Sequence, residues 1–308
     1  MRELEKFSAI EAIQQQLESN RYISDQSLAT VIYLSYHLNK PIFLEGEPGV
    51  GKTEVAIVLS QILESRLIRL QCYEGLDANS ALYEWNYPKQ LLRIKMDEHS
   101  DKSPEEIGHV IYSEPYLIKR PLLEAIVSSE ADNPVLLIDE LDRADEEFEA
   151  FLLEILSDFQ VSIPEIGTIK ATRKPLVVIT SNRTRDIHDA LKRRCLYHWI
   201  DYPDLEKEKL IIRARIPKIE EALAVQVAGF MQTIRQEDLM KKPGISETLD
   251  WAEALIKLNQ GVLNEAIVEQ TLGCILKYRE DIQKFRSTIW TDTDKRSQLL
   301  AAGQISPC

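Results

Sequence analysis

Up to about Pro203 the apolar positions alternate between short unbroken runs and helical spacing; beyond it, helical spacing alone remains. LEKFSAIEAIQQQL and DQSLATVIYLSYHL predict two helices, the second capped by Asp25 or Ser24. PIFLEG, ending on Gly46, predicts a buried strand, TEVAIVLSQILESR a helix, and LIRLQCY a strand. RPLLEAIVSS predicts a helix with Pro121 in its first turn. VLLIDE and PLVVITSN predict strands buried on both faces, and LYHWIDYP a last short one. DEEFEAFLLEILSDF puts Phe148, Phe151, Leu152, Ile155, Leu156 and Phe159 on one helical face, with Asp145 as N-cap. QVSIPEIGTIKA alternates around Pro164–Gly167, as a hairpin does. Residues 96–113, MDEHSDKSPEEIGHVIYS, are polar and acidic and are expected as an excursion from the core, not a domain boundary.

After Pro203 come LEKEKLIIRARI, EEALAVQVAGFMQTI, ETLDWAEALIKL and NEAIVEQTLGCILKYREDIQKF, all helical in spacing. The expected organisation is an α/β unit over residues 1–202 and an all-α domain over 203–308, without internal repeats. The final AAGQISPC is expected to be poorly ordered.

Composition narrows the classes. Apolar residues at 44% and charged residues at 28% describe an ordinary globular chain with enough length for a core. A net charge of −13 disfavours broad contact with nucleic acid or anionic membranes. Cys72, Cys195, Cys274 and Cys308 match no zinc or redox spacing, so buried thiols or a free terminal thiol are expected. The histidines form no metal-binding pair. The first residues carry no signal-like apolar region, and no run reaches a membrane span, which makes the cytoplasm the expected compartment.

One stretch carries specific chemistry. GEPGVGKT fits G-x-x-x-x-G-K-[ST] between a predicted strand and a predicted helix. Its residues Gly46, Glu47, Pro48, Gly49, Val50, Gly51, Lys52 and Thr53, followed by Glu54, form a candidate phosphate cradle at a helix N-terminus. Lys52 would reach the β- and γ-phosphates, and Thr53 would ligate Mg²⁺. The loop alone fits ATPases, GTPases and small-molecule kinases. Two further positions favour hydrolysis by water. VLLIDE ends on Asp139, suited to the metal's shell, and Glu140, suited to deprotonating the attacking water. VVITSN ends on Asn182, which a neighbouring parallel strand would aim at the γ-phosphate and its water.

Together, the phosphate loop, the Asp-Glu strand, the Asn strand and the helical C-terminal region resemble an AAA+ ATPase. The hairpin before the Asn strand and the polar excursion resemble the MoxR group. GLDANSALYEWNYPKQLL and LIDELDRADEEFEAFLLEILSDFQVSIPEIG resemble its CoxD-like branch, associated with carbon monoxide dehydrogenase maturation. This resemblance implies a P-loop core with a five-stranded parallel sheet, a helix-2 insert, a hairpin before sensor 1, and a helical lid. It further implies ATP and Mg²⁺, a homo-oligomeric ring of hexameric type, a protein client and a von Willebrand factor A domain partner. Lys52, Thr53, Asp139, Glu140 and Asn182 would take the Walker A, Walker B and sensor 1 roles, and Tyr22 and Ile23 would pack on adenine. One departure stands out: Thr248, in GISETLDW, occupies the place of the sensor 2 arginine. Either another lid cation substitutes, or the lid couples weakly to hydrolysis.

The run ALKRRC lies where the family carries its arginine finger, aimed at a neighbouring subunit's γ-phosphate. Arg194 is the first candidate and Arg193 the second; a solvated turn suffices for Lys192. Two other functions compete with remodelling of a client: a nucleic-acid-associated motor, which the acidic composition opposes, and a nucleotide-gated scaffold with little turnover.

Overall fold

The apolar runs IFLEG, VLLID and LVVITS become β1 (Ile42–Gly46), β5 (Val135–Asp139) and β8 (Leu176–Ser181), in which every residue is buried. Strands covered on both faces belong inside a parallel sheet. The computed structural model, which describes residues 7–98, 103–127 and 133–301 apart from the side chains of Gln298 and Ala301, places all three there. The expectations for the tail beyond Ala301, for the Cys308 thiol and for residues 99–102 of the polar segment lie outside the described residues.

The chain forms two compact units. One gathers the described residues within 1–16, 26–45 and 53–199, the other those within 17–25, 46–52 and 200–308. The second is the helical unit, and it also takes in the glycine loop.

In the first unit, β2 (Leu67–Gln71) and β9 (Leu196–Ile200) complete a five-stranded parallel sheet in the order β2-β5-β8-β1-β9. The register sets Gln71 beside Asp139 and Glu45 beside Ser181, so the residues following these strands emerge at one edge. In open α/β sheets that carboxyl edge is where ligands bind. In chain order the helices begin with α1 (Ile10–Ser19), α2 (Gln26–Leu38), α3 (Lys52–Leu63) and α4 (Ala78–Leu82). They continue with α5 (Tyr87–Asp97), α6 (Pro104–Ile111), α7 (Pro121–Ile126), α8 (Glu146–Asp158) and α9 (Asp189–Lys192). Asp145 caps α8 as expected, accepting from Phe148 N at 2.8 Å. The predicted hairpin is β6 (Gln160–Ile163) with β7 (Gly167–Lys170), directly ahead of β8.

Residues 103–113 of the polar segment are more ordered than their composition suggests. Helix α6 opens with a capping box, in which Ser103 and Glu106 satisfy each other's backbone N–H groups. A short antiparallel pair, β3 (Tyr83–Trp85) with β4 (Leu117–Lys119), flanks it and was not expected from the pattern. Three-residue strands offer too few positions for a visible alternation.

The helical unit holds α10 (Leu205–Arg215), α11 (Glu221–Ile234), α12 (Ile245–Lys257), α13 (Glu265–Ile275), α14 (Arg279–Lys284) and α15 (Thr293–Ala301). Its core centres on Trp251, Phe230 and Phe285, with the Trp251 indole N–H donating to Thr271 Oγ1 at 2.8 Å. The helix expected over residues 264–285 breaks in two. Leu276 adopts an extended backbone (φ −105°, ψ 119°), ending the helix, and is buried in this core. No helix among the described residues is long and apolar enough to cross a membrane.

Candidate functional site

The phosphate loop is shaped by positions that only glycine fills without strain. Gly46 has φ +155°, and a Cβ there would stand 2.3 Å from the Ile200 carbonyl oxygen. Gly49 and Gly51 follow with φ of +79° and +97°. Inside this turn the Lys52 side chain is buried, its ammonium donating to the carbonyls of Gly46 and Glu47 at 2.8 and 2.7 Å. The backbone thus pins the cation across the loop. Tyr22 lies alongside, its ring carbon 3.8 Å from where a Cβ on Gly51 would be, and Ile23 beside it is half-buried.

On the helical side of this loop, Ile245 N and Ser246 N donate to Gly49 O at 2.9 and 3.3 Å. The first amides of α12 therefore cap a loop carbonyl. Thr248 on α12 is fully buried. Its hydroxyl donates to Glu208 Oε1 at 2.8 Å and accepts from Arg235 Nη2 at 3.1 Å. Arg235 grips Glu208 through two hydrogen bonds of 2.6 and 2.7 Å and donates Nε to Pro243 O. Thr248 thus serves a buried ion pair, and Arg235 is fully engaged within it.

The second set of groups gathers at the carboxyl ends of β5 and β8. Thr53 Oγ1 donates to Asp139 Oδ1 at 3.0 Å, and Thr180 Oγ1 donates to the same oxygen at 2.6 Å. Arg69, on β2, donates to Asp139 Oδ2 at 2.5 Å. Glu140 takes a left-handed backbone (φ 55°, ψ 51°), and its N–H donates to Thr180 Oγ1 at 2.9 Å. Its carboxylate accepts from Gln71 Nε2 at 3.0 Å, from Asn182 Nδ2 at 3.4 Å and from Arg143 at 3.3 Å. The sequence-predicted Asp139, Glu140, Asn182 and Thr53 therefore meet in one place.

Asp142 fixes the Asn182 end of this cluster. Its buried carboxylate accepts from Asn182 N, Thr184 N and the Thr184 hydroxyl at 3.0, 2.9 and 2.6 Å. Burial pushes this carboxyl up, but the hydrogen bonds from Thr184 and Asn182 outweigh it and hold it below its ordinary value. Burial, followed by the charges of Asp139, Asp142 and Glu140, pushes the nearby Cys72 thiol up to about 12. Burial likewise raises Cys195 to about 12. Both are thus protonated, inert thiols.

In the run ALKRRC, Lys192 is more than a solvated turn residue: it lies 3.6 Å from Glu45 and over the Phe43 ring. Arg193 is exposed. Arg194, also exposed, donates to Leu153 O and Ser157 Oγ at the end of α8. Sequence reasoning missed Arg69, Gln71, Thr180 and Asp142. The signal for the first two was present: LIRLQ places polar residues at alternate positions of a strand, on one face.

A glycine-formed phosphate loop and an acidic pair at a parallel strand end define a P-loop nucleotide hydrolase. The sequence profile of the AAA domain (dynein-related subfamily) matches residues 41–195, half of the chain. The chain belongs to this family and is an AAA+ ATPase, using ATP with Mg²⁺. An uncharacterized protein of Staphylococcus haemolyticus is 29% identical over 248 residues, covering 78% of this chain and 85% of its own. A Staphylococcus aureus protein, also uncharacterized, is 26% identical over 242 residues, covering 76% and 82%. Among solved structures, a point mutant of Thermotoga maritima RuvB is similar at 17% identity and TM-score 0.49, covering 96% of this chain and 82% of that one.

The residues suit the metal. Thr53 and Asp139 offer a hydroxyl and a carboxylate in mutual contact, hard oxygen donors of the kind Mg²⁺ prefers. Among the described residues no group of three or more His, Cys, Asp or Glu forms a complete cage.

Proposed function

We propose that the chain couples ATP hydrolysis to chaperone-like remodelling or maturation of a protein client, in the manner of the MoxR group and nearest its CoxD-like branch. On this reading it assembles as a homo-oligomeric ring, hexameric in type, with a von Willebrand factor A domain protein as partner and residues 203–308 as its lid. The observation that carries it is the contact of Glu140 with Asn182 beside the Thr53–Asp139 pair. The hairpin β6–β7 ahead of β8 supports the MoxR placement.

Each residue then has a task. The amides of residues 46–53 and Lys52 hold phosphate oxygens, while Tyr22 and Ile23 pack on adenine. Thr53 and Asp139 hold Mg²⁺, which when bound neutralises charge on the β- and γ-phosphates. Glu140 takes the proton of the attacking water, and Asn182 orients both. Arg194, or failing it Arg193, leaves its own subunit to meet the neighbour's γ-phosphate.

Steady-state phosphate release by wild type and Glu140→Gln is the first test. A loss of about 10²–10⁴ with ATP binding retained is expected. Equal rates would favour the nucleotide-gated scaffold, a reading that Thr248 in place of a cationic sensor also supports. ATP-locked Glu140→Gln should then retain its client, identifiable by mass spectrometry. Salt-dependent DNA binding, with no protein retained, would replace remodelling by a nucleic-acid motor.

A further inference from the structure

The carboxylate assigned to the metal already has a cationic neighbour from its own sheet. Arg69 Nη2 donates to Asp139 Oδ2 at 2.5 Å and to Gln71 Oε1 at 2.6 Å. Register explains the meeting: β2 runs beside β5 with Arg69 opposite Leu137 and Gln71 opposite Asp139. The arginine's reach along the strand covers the two-residue offset. The other Asp139 oxygen is committed to the hydroxyls of Thr53 and Thr180. The guanidinium therefore stands on the oxygen that faces away from both threonines.

The two ends of this pair differ in freedom. The Asp139 side chain is 2% exposed, whereas that of Arg69 is 53% exposed. Asp139 is fixed by the strand and two hydroxyls, and Arg69 can turn into water at little cost. A magnesium ion keeps several waters and demands near-octahedral geometry, so it needs room around its carboxylate. A guanidinium at the same carboxylate takes that room and adds like-charge repulsion over a few ångström.

We propose that Arg69 competes with Mg²⁺ for Asp139 and thereby sets the metal concentration the protein requires. The inference rests on Asp139 as the metal's carboxylate. Metal entry is then an exchange of cations: Arg69 leaves Oδ2 for solvent, and the carboxylate stays charged and in place throughout. This explains why a half-exposed arginine is aimed at a buried acid whose task is to serve another cation.

The test uses Mn²⁺ as the spectroscopic probe, with ADP, on the full chain. Free Mn²⁺ is followed by electron paramagnetic resonance for wild type, Arg69→Met, Arg69→Gln and Arg69→Lys, with folding checked by circular dichroism. Removing the cation should lower half-saturating Mn²⁺ about tenfold in the Met and Gln variants. Arg69→Lys, which keeps a charge within reach, should stay near wild type. Binding of fluorescent ADP in EDTA should be the same in all four, because the competition concerns the metal alone. Half-saturation that is unchanged or raised in Arg69→Met and Arg69→Gln would overturn the proposal. A wild type that binds ADP but takes up no Mn²⁺ would overturn the assignment of Asp139, and the competition with it.

Discussion

Gly244 rests directly on Gly49: a Cβ added to Gly244 would lie 2.9 Å from the Gly49 Cα, carbonyl carbon and carbonyl oxygen. These atoms are backbone and cannot swing aside. The next two amides, of Ile245 and Ser246, bond the same Gly49 carbonyl. The start of α12 and the phosphate loop thus share one surface, built without a side chain at the point of contact.

Gly244→Ala should therefore deform the phosphate loop. We expect nucleotide affinity to fall by about tenfold or more, corresponding to a strain of about 1–3 kcal/mol. Titration with a fluorescent ADP analogue checks it; wild-type affinity in the folded variant would mean that the loop yields freely.

Thr248 completes the shell of a buried ion pair, so restoring an arginine there should not restore a sensor. Thr248→Arg places a second guanidinium against Arg235 and should lower the melting temperature without raising ATPase activity. Thr248→Val leaves Glu208 and Arg235 each one partner short, at a cost of about 1–3 kcal/mol in urea unfolding. A Thr248→Arg variant as stable as wild type, with faster hydrolysis, would contradict this role.

The pH dependence of Asp142 has a definite sign. Its folded carboxyl lies below the ordinary value of 3.8, so it stabilises the fold above that pH. The contribution is lost as pH falls through the folded value. Asp142→Asn should be less stable than wild type at neutral pH, by about 1–3 kcal/mol. The gap should narrow as the solution is acidified below pH 3.8. Urea melts at several pH values would reveal a constant gap if the carboxylate's charge had no part.

Arg194→Ala should slow hydrolysis by about 10³–10⁵ if its guanidinium serves a neighbour's nucleotide. Mixed with equally inactive Lys52→Ala, it should regain part of the activity, because some interfaces then pair an intact loop with an intact finger. Mixed rings that remain silent would place the action of Arg194 within its own subunit. Ser157→Ala removes only the hydroxyl that now holds Arg194 and should leave turnover within about twofold.

Much of this arrangement was legible in the chain, and its limits have physical causes. GEPGVGKT and VLLIDE combine a local motif with a local period, so the loop and the acidic strand end could be placed by spacing alone. Spacing could put Arg69 on a strand face with Gln71 but could not name its partner or that of Asp142, because these are 70 residues away for Arg69–Asp139 and 40 for Asp142–Asn182. Those contacts exist only once strand order and register are set. Thr248 shows the same limit differently. Its departure from the family pattern could be read, but not its new partners, which come from α10 and from the residue after α11. Leu276 marks a third kind of failure: the helical period continues through it, yet its backbone is extended and its side chain joins the helical unit's core.

The protonated thiol of Cys72 has a consequence for the protein's chemistry under oxidising conditions. A sulfur held as a neutral thiol beside three carboxylates is a poor nucleophile toward peroxide, disulfides and alkylating reagents. The negative charge gathered by Asp139, Glu140 and Asp142 also shields the sulfur beside it. Cys72 should thus stay unmodified through oxidant exposures that convert thiolates, as mass spectrometry of the treated protein would show.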